Sequence, residues 1–161
     1  MIVNRIIPAS MVNGDGIRLV IVFSGCTLGC KGCFSPELQS FENGVERKPK
    51  ELADEIEKKI LDNRMLSGIT LSGGNPTEQW EIVDFLKEMK SRFPSLNVWM
   101  WTGHTWNELN DFEERFNTLP YVDVVISGRF EQDKKVENRY FGSSNQEVWR
   151  KKEGKWITGD N

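Results

Sequence analysis

The sequence predicts an α/β fold on a mostly parallel sheet, either a partial, open βα barrel or a small doubly wound sheet. Three observations carry this. A strand, a punctuated loop and a helix follow one another repeatedly, which implies parallel pairing with right-handed crossovers. The strand segments are β-branched and continuously apolar, as strands buried on both faces are. Four strong strands are too few for a complete eight-stranded barrel.

The first strand is Arg18-Leu-Val-Ile-Val-Phe23, which runs into Ser24-Gly25-Cys26 and a glycine-punctuated loop to Pro36. A helix over 49–61 places Leu52, Ile56 and Ile60 on one face. Gly68-Ile-Thr-Leu-Ser72 is the second strand and ends in Gly73-Gly74-Asn75-Pro76. The helix expected from about Thr77 to Arg92 turns Ile82, Phe85, Leu86, Met89 and Phe93 inward. Asn97-Val-Trp-Met-Trp101 is the third strand, Thr102-Gly103 its turn, and Thr105 with Glu108 a capping box. The helix that follows is expected to carry Leu109, Phe112 and Phe116 inward. Tyr121-Val-Asp-Val-Val-Ile126 is the fourth strand and ends in Ser127-Gly128. Beyond it the chain is polar, and Gly142-Ser-Ser-Asn-Gln146 is its most distinctive run.

In such folds ligands collect at the carboxyl ends of the strands. The cysteine loop, Gly73-Gly74, Thr102-Gly103 and Ser127-Gly128 all follow a strand's carboxyl end, so a single composite site is expected there.

The chain has 161 residues, which are read as one domain (1–161), and a formal net charge of −3 with acids and bases interspersed. That balance argues against broad binding of nucleic-acid phosphates. The local cluster Arg150, Lys151, Lys152 and Lys155 reads as a solvated surface. With no signal-like segment and no run of membrane-spanning length, a cytoplasmic protein without membrane contact is expected.

Cys26, Cys30 and Cys33 are the only cysteines, C-T-L-G-C-K-G-C within eight residues. An odd, clustered set is no disulfide framework. Three core cysteines on a helix face are one bland alternative, which Gly25, Gly29, Gly32 and Pro36 oppose by breaking the helix. A zinc site completed by the lone histidine, His104, is another, but one distant histidine is a weak fourth ligand and His104 reads instead as a surface or cap residue. The third reading is a [4Fe–4S] cluster with three thiolate ligands and one iron left open for other chemistry. Gly73-Gly74 would let a ligand lie against the sheet edge, and Asn75 could offer its amide oxygen to an ammonium group.

Cys26, Cys30, Cys33 and Phe34, with the later Gly73-Gly74-Asn75-Pro76, resemble the signature of radical S-adenosylmethionine enzymes. Asn13-Gly14-Asp15-Gly16-Ile17-Arg18 followed by Phe23-Ser24-Gly25-Cys26 resembles the opening of glycyl-radical-enzyme activases. With 71–76, 98–103 and 142–146, the likeness extends over nearly the whole chain. It points to the family that activates anaerobic (class III) ribonucleoside-triphosphate reductase. The resemblance implies a partial (incomplete) TIM-like βα barrel of the radical S-adenosylmethionine type. It implies a [4Fe–4S] cluster on Cys26, Cys30 and Cys33, whose open iron takes the amino and carboxylate groups of S-adenosyl-L-methionine. Gly32, Cys33 and Phe34 would line the adenosine side, and Gly73, Gly74 and Asn75 would hold the methionine moiety.

One electron from a flavodoxin-like reductant would cleave the sulfonium, and the resulting radical would take a hydrogen atom from a glycine of the large reductase subunit. An activase of another glycyl radical enzyme, of formate-lyase type, is the alternative enzyme; a zinc-binding module is the alternative outside enzymes. The chain departs from the family's usual pattern in four places. Asn75 replaces an acidic residue, and Asp15 stands where proline is usual, read as a turn change of little consequence. Ser127 replaces an aspartate. Arg129 replaces a lysine and keeps a charge that could pair with the cofactor's carboxylate.

Overall fold

The computed structural model describes residues 1–159. Its strands are β1 (Ile2–Ser10), β2 (Ile17–Phe23), β3 (Val45–Glu46), β4 (Leu66–Gly73), β5 (Val98–Trp101), β6 (Val124–Ser127), β7 (Glu147–Lys152) and β8 (Lys155–Thr158). They form one sheet in the order β3-β1-β2-β4-β5-β6-β7-β8. The four predicted strands are its centre, β2-β4-β5-β6, and all three ladders between them are parallel. Antiparallel strands flank them on both sides. The fold is therefore mixed α/β, with a parallel centre and antiparallel margins.

The margins escaped the sequence reading. In β1, Asn4-Arg5 and Pro8 interrupt any regular alternation, and the strand pairs with β2 through two register shifts. β7 and β8 contain the basic cluster that read as surface. They form a hairpin turning at Glu153 and Gly154, both in the left-handed region with φ of 50° and 76°, the pairing of angles that a tight hairpin turn requires. Only Lys152 and Lys155 of that cluster are exposed. Lys151 donates to the carbonyls of Leu119 and Pro120, and Arg150 reaches Asp15 at 3.2 Å.

Helices α1 (Pro49–Asp62), α2 (Ile82–Arg92), α3 (Trp106–Asp111) and α4 (Glu113–Phe116) complete the architecture. Leu52, Ile56, Ile82, Phe85, Leu86, Met89 and Leu109 join Leu19, Ile21, Phe23, Ile69, Leu71, Val98, Met100 and Val125 in the main core. The alternate strand residues form two smaller clusters on the other face, around Val20 with Val22 and around Trp99 with Ile126; no residue of α1–α4 belongs to either, and the first is joined by Leu38 of the 3-10 turn Pro36–Leu38. Helices thus cover one face only, which excludes the doubly wound alternative.

Two helix expectations need correction. Pro76–Glu78 is a 3-10 turn, and Glu81 adopts a left-handed φ of 62°, so α2 starts at Ile82 rather than near Thr77. Phe112 is extended (φ −117°, ψ 117°) and breaks the next helix into α3 and α4. Leu109 is buried as expected, but the break turns Phe112 and Phe116 outward, 54% and 47% exposed. Among the described residues no helix is long and apolar enough to cross a membrane.

Arg18, the first residue of the predicted strand, is 1% exposed. Its guanidinium donates to Thr70 Oγ1, to the carbonyls of Ser67, Ile69 and Asn97, and to Asn97 Oδ1, and it lies 5.5 Å from the Trp99 ring centroid. One cation therefore ties β2 to β4 and to the entry of β5. Burial draws this guanidinium down to about 10, against the opposing pull of Asp15 and Asp123. Nor is Asp15 a minor turn change. It accepts from the Tyr140 hydroxyl at 2.8 Å and pairs with Arg139 and Arg150, pinning the loop before β2 to the last third of the chain. Arg18→Ala should lower the free energy of unfolding by at least about 3 kcal/mol, because it strands buried carbonyls without donors. Urea denaturation measures this.

Candidate functional site

The register of the parallel strands sets the site. Phe23 lies opposite Gly73, Leu71 opposite Met100, and Trp101 opposite Ile126, so β2, β4, β5 and β6 end at nearly one level. Their outgoing loops meet there. Gly74 N donates to Phe23 O and Asn75 N to Gly25 O, which lays the loop after β4 against the start of the cysteine loop. The approach leaves no room for a side chain, since a Cβ on Gly74 would lie 2.6 Å from the Gly25 carbonyl oxygen and 2.7 Å from that of Leu38. Thr102 N donates to Ile126 O and Gly128 N to His104 O, joining the loops after β5 and β6. The four loops expected to share one edge therefore do so.

Cys26, Cys30 and Cys33 are unpaired and half-buried. The loop holding them is pinned at both ends. Gly25 N donates to Leu38 O, Cys26 N to Gln39 O and Cys33 N to Cys30 O. Between the pins, Leu28 lies over Gly103 and Gly32 over Gln132. Burial pushes the Cys26 thiol above its ordinary value, with Glu78 adding to the shift. Among the described residues no three His, Cys, Asp or Glu side chains are gathered closely enough to hold a metal ion. The donor chemistry nevertheless suits an iron–sulfur cluster. The loop offers three free thiols at C-x3-C-x2-C spacing with glycines between them, and no disulfide competes for them.

Phe34, 66% exposed, packs its ring 4.8 Å from that of Phe130, and a Cβ on Gly142 would lie 2.5 Å from Phe34 Cε2. The Gly142–Gln146 run is thus brought against the cysteine loop. Gln146 organises it. Its Oε1 accepts from the amides of Gly142 and Ser143, and its Nε2 donates to Gly128 O, while Asn145 Nδ2 donates to Arg129 O.

Two predicted ligand-binding side chains are already engaged. Asn75 is fully buried, and its Oδ1 accepts from both Thr77 Oγ1 (3.0 Å) and Thr102 Oγ1 (2.8 Å). Arg129 places two nitrogens on Glu108, each at 2.8 Å, as a bidentate pair. Ser127 is 1% exposed, and its hydroxyl has no hydrogen-bond partner.

Three contributors were missed in the sequence. Glu78 accepts from Thr27 N (2.8 Å), Thr27 Oγ1 (3.1 Å) and Asn75 Nδ2 (3.2 Å). Thr27 is the second, and Gln146, singled out in the sequence only as part of a distinctive run, is the third, its organising role unread there. The Glu78 position could have been inferred from its place just after the Gly73–Pro76 loop, but its partner 51 residues away could not. His104 is not the surface or cap residue expected; it is 3% exposed. Its Nε2 lies 3.4 Å from Glu78 Oε1 and its Nδ1 3.8 Å from Glu108 Oε2, without closing a hydrogen bond to either. Burial lowers its pKa and favours the neutral ring.

The chain matches the family described as 4Fe-4S single cluster domain over residues 12–149. It is similar to anaerobic ribonucleoside-triphosphate reductase-activating proteins from three sources. The protein of Enterobacteria phage T4 is 33% identical over 159 residues, covering 95% of this chain and 96% of the relative. That of Pasteurella multocida is 37% identical over 148 residues (89% and 93%), and that of Escherichia coli K12 is 33% identical over 146 (88% and 93%).

Arg129, donating to Glu108, holds that carboxylate near a pKa of about 2 instead of 4.5. The depressed value means that the pair stabilises the fold above pH 4.5 and loses that contribution as pH falls through about 2. Arg129→Met should therefore lower the urea midpoint at neutral pH, and the gap to the parent should narrow between pH 4.5 and 2.

Proposed function

The chain belongs to the anaerobic ribonucleoside-triphosphate reductase-activating protein family and to the 4Fe-4S single cluster domain family, and from that premise we propose that it installs a glycyl radical on an anaerobic ribonucleoside-triphosphate reductase. One observation carries the reading: a loop with three free cysteines, and no fourth in the chain, sits where four parallel strands end.

Cys26, Cys30 and Cys33 are the residues that would hold a [4Fe–4S] cluster, leaving one iron for S-adenosyl-L-methionine. When bound, the cluster supplies the electron for reductive cleavage of the sulfonium, the chemistry that leads to the glycyl radical. The chain's own residues hold and orient the reactants. Gly73 and Gly74 would hold the methionine moiety through backbone groups other than the Gly74 amide, which donates to Phe23 O. Gly32, Cys33 and Phe34 border the adenosine side, with Phe130 and Gly142 backing the Phe34 ring. For Asn75 to serve an ammonium through its oxygen, the Thr77 or Thr102 hydroxyl must rotate away, which hydroxyls do readily. Beyond the two N–H groups on Glu108, the Arg129 guanidinium carries three more, which could serve a cofactor carboxylate.

We read the parallel β2-β4-β5-β6 segment as an incomplete TIM-like βα barrel forming one catalytic domain. A cytoplasmic location and a flavodoxin-like electron donor fit the low potential that the cleavage requires.

After anaerobic reconstitution the protein should bind about four irons per chain, as a single cubane requires. With dithionite it should convert S-adenosyl-L-methionine to methionine and 5′-deoxyadenosine. Mixed with the large reductase subunit it should raise a glycyl-radical signal in electron paramagnetic resonance. A folded, colourless protein loaded with zinc would overturn the reading. Cys30→Ala should lose cluster and cleavage together, and full cleavage by that variant would contradict the ligand assignment.

A further inference from the structure

We propose that Glu78 is a positioning residue that clamps the first turn of the cysteine loop to the loop after β4 and so fixes where Cys26 sits. The proposal rests on the cluster reading above for its consequence, but the clamp itself is a property of the metal-free chain.

Four contacts converge on this one carboxylate. Oε2 takes the Thr27 amide at 2.8 Å, the residue directly after Cys26. Oε1 takes the Thr27 hydroxyl at 3.1 Å and the Asn75 amide at 3.2 Å, and His104 Nε2 lies 3.4 Å from it. The Glu78 side chain is 12% exposed, while Thr27, which supplies two of the donors, lies at the surface.

Three other pins hold this end of the loop: Gly25 N on Leu38 O and Cys26 N on Gln39 O hold it against the segment after the cysteines, and Asn75 N on Gly25 O holds it against the loop after β4. Glu78 extends that second attachment past Cys26 to Thr27. Behind Glu78 the arrangement is stiff. Asn75, which donates to it, is itself fixed by Thr77 and Thr102, and the 3-10 turn over Pro76–Glu78 starts at a proline with restricted backbone. Three bonds thus reference Cys26 to the ends of β4 and β5. Among the described residues no other hydrogen bond ties residues 27–29 to the sheet edge, where Leu28 packs on Gly103.

The test uses metal-free protein and reads each thiol separately. Alkylation by iodoacetamide under reducing, chelating conditions is followed by peptide mass spectrometry, with Cys30 as internal reference for Cys26. Glu78→Ala should raise the Cys26 to Cys30 rate ratio by about tenfold, the scale set by losing hydrogen bonds to a charged acceptor. Glu78→Gln keeps a carbonyl oxygen for the Thr27 amide and should stay within about twofold of the parent.

That pair separates clamping from charge. If Glu78→Gln is as reactive as Glu78→Ala, the lost negative charge alone explains the result and the clamp is overturned. An unchanged ratio in Glu78→Ala overturns it as well. Should Glu78→Ala fail to fold, Thr27→Val, which removes only the hydroxyl bond, must raise the ratio in the parent background, and no rise overturns the proposal. In the reconstituted enzyme, Glu78→Ala should lower iron retention, and Glu78→Gln should recover it. Failure of the parent itself to assemble a cluster would sink the cluster reading and leave the thiol result standing on its own.

Discussion

Parallel strands that stop at one level force their outgoing loops to share one edge, and the rest of this molecule is arranged around that constraint. Register alignment from Phe23 through Gly73 to Met100 and Ile126 leaves four loops with nowhere else to go. Backbone hydrogen bonds among those loops would be lost to a shift of one residue in any ladder, because every side chain of the shifted strand would also change face. The alternation of Leu19, Ile21 and Phe23 against Val20 and Val22, apolar on both faces, makes such slippage costly.

Arg18 adds to this constraint from the opposite end of the sheet. A buried cation is expensive to desolvate and is tolerated when its donors are satisfied. Its five bonds cross from β2 to β4 and to Asn97 at the entry of β5, so the strands are indexed by a directional network as well as by apolar packing. Gly68 makes room for it, since a Cβ there would lie 2.9 Å from the guanidinium. At the functional edge, Glu78 and the Glu108–Arg129 pair do comparable work with opposite polarity. Charge is thus used at both ends of the parallel segment to set positions.

Much of the fold was legible locally. The four central strands, α1, the capping box at Thr105 and the buried stripe of α2 each carry their own signal in a short window. What failed did so for identifiable reasons. Glu81 in a left-handed conformation delays α2, although nothing in its residue type demands it. Phe112 and Phe116 fitted a helical stripe, but an extended residue between two short helices rotates them outward. β1 lacks alternation, and β7 with β8 resembled a charged tail because their apolar contacts come mainly from tryptophans: Trp149 stacks on Trp106 at 4.1 Å, and Trp156 meets the same ring edge-on.

The amino-acid sequence alone determined the donor set, its spacing, the glycines that punctuate it and the strand ends on which it sits. All of these are properties of residues near one another in the chain. It also held a likeness to a family, which the similar proteins bore out. Only the tertiary structure decided which side chains are free to act. Asn75 and Arg129 looked available and are engaged, Asp15 looked incidental and joins distant segments, Glu78 was not singled out and bridges two loops, and His104, read as a surface or cap residue, is buried next to it. The physical reason is that a hydrogen bond depends on which partner the fold brings within reach, and these partners lie 21 to 125 residues away along the chain.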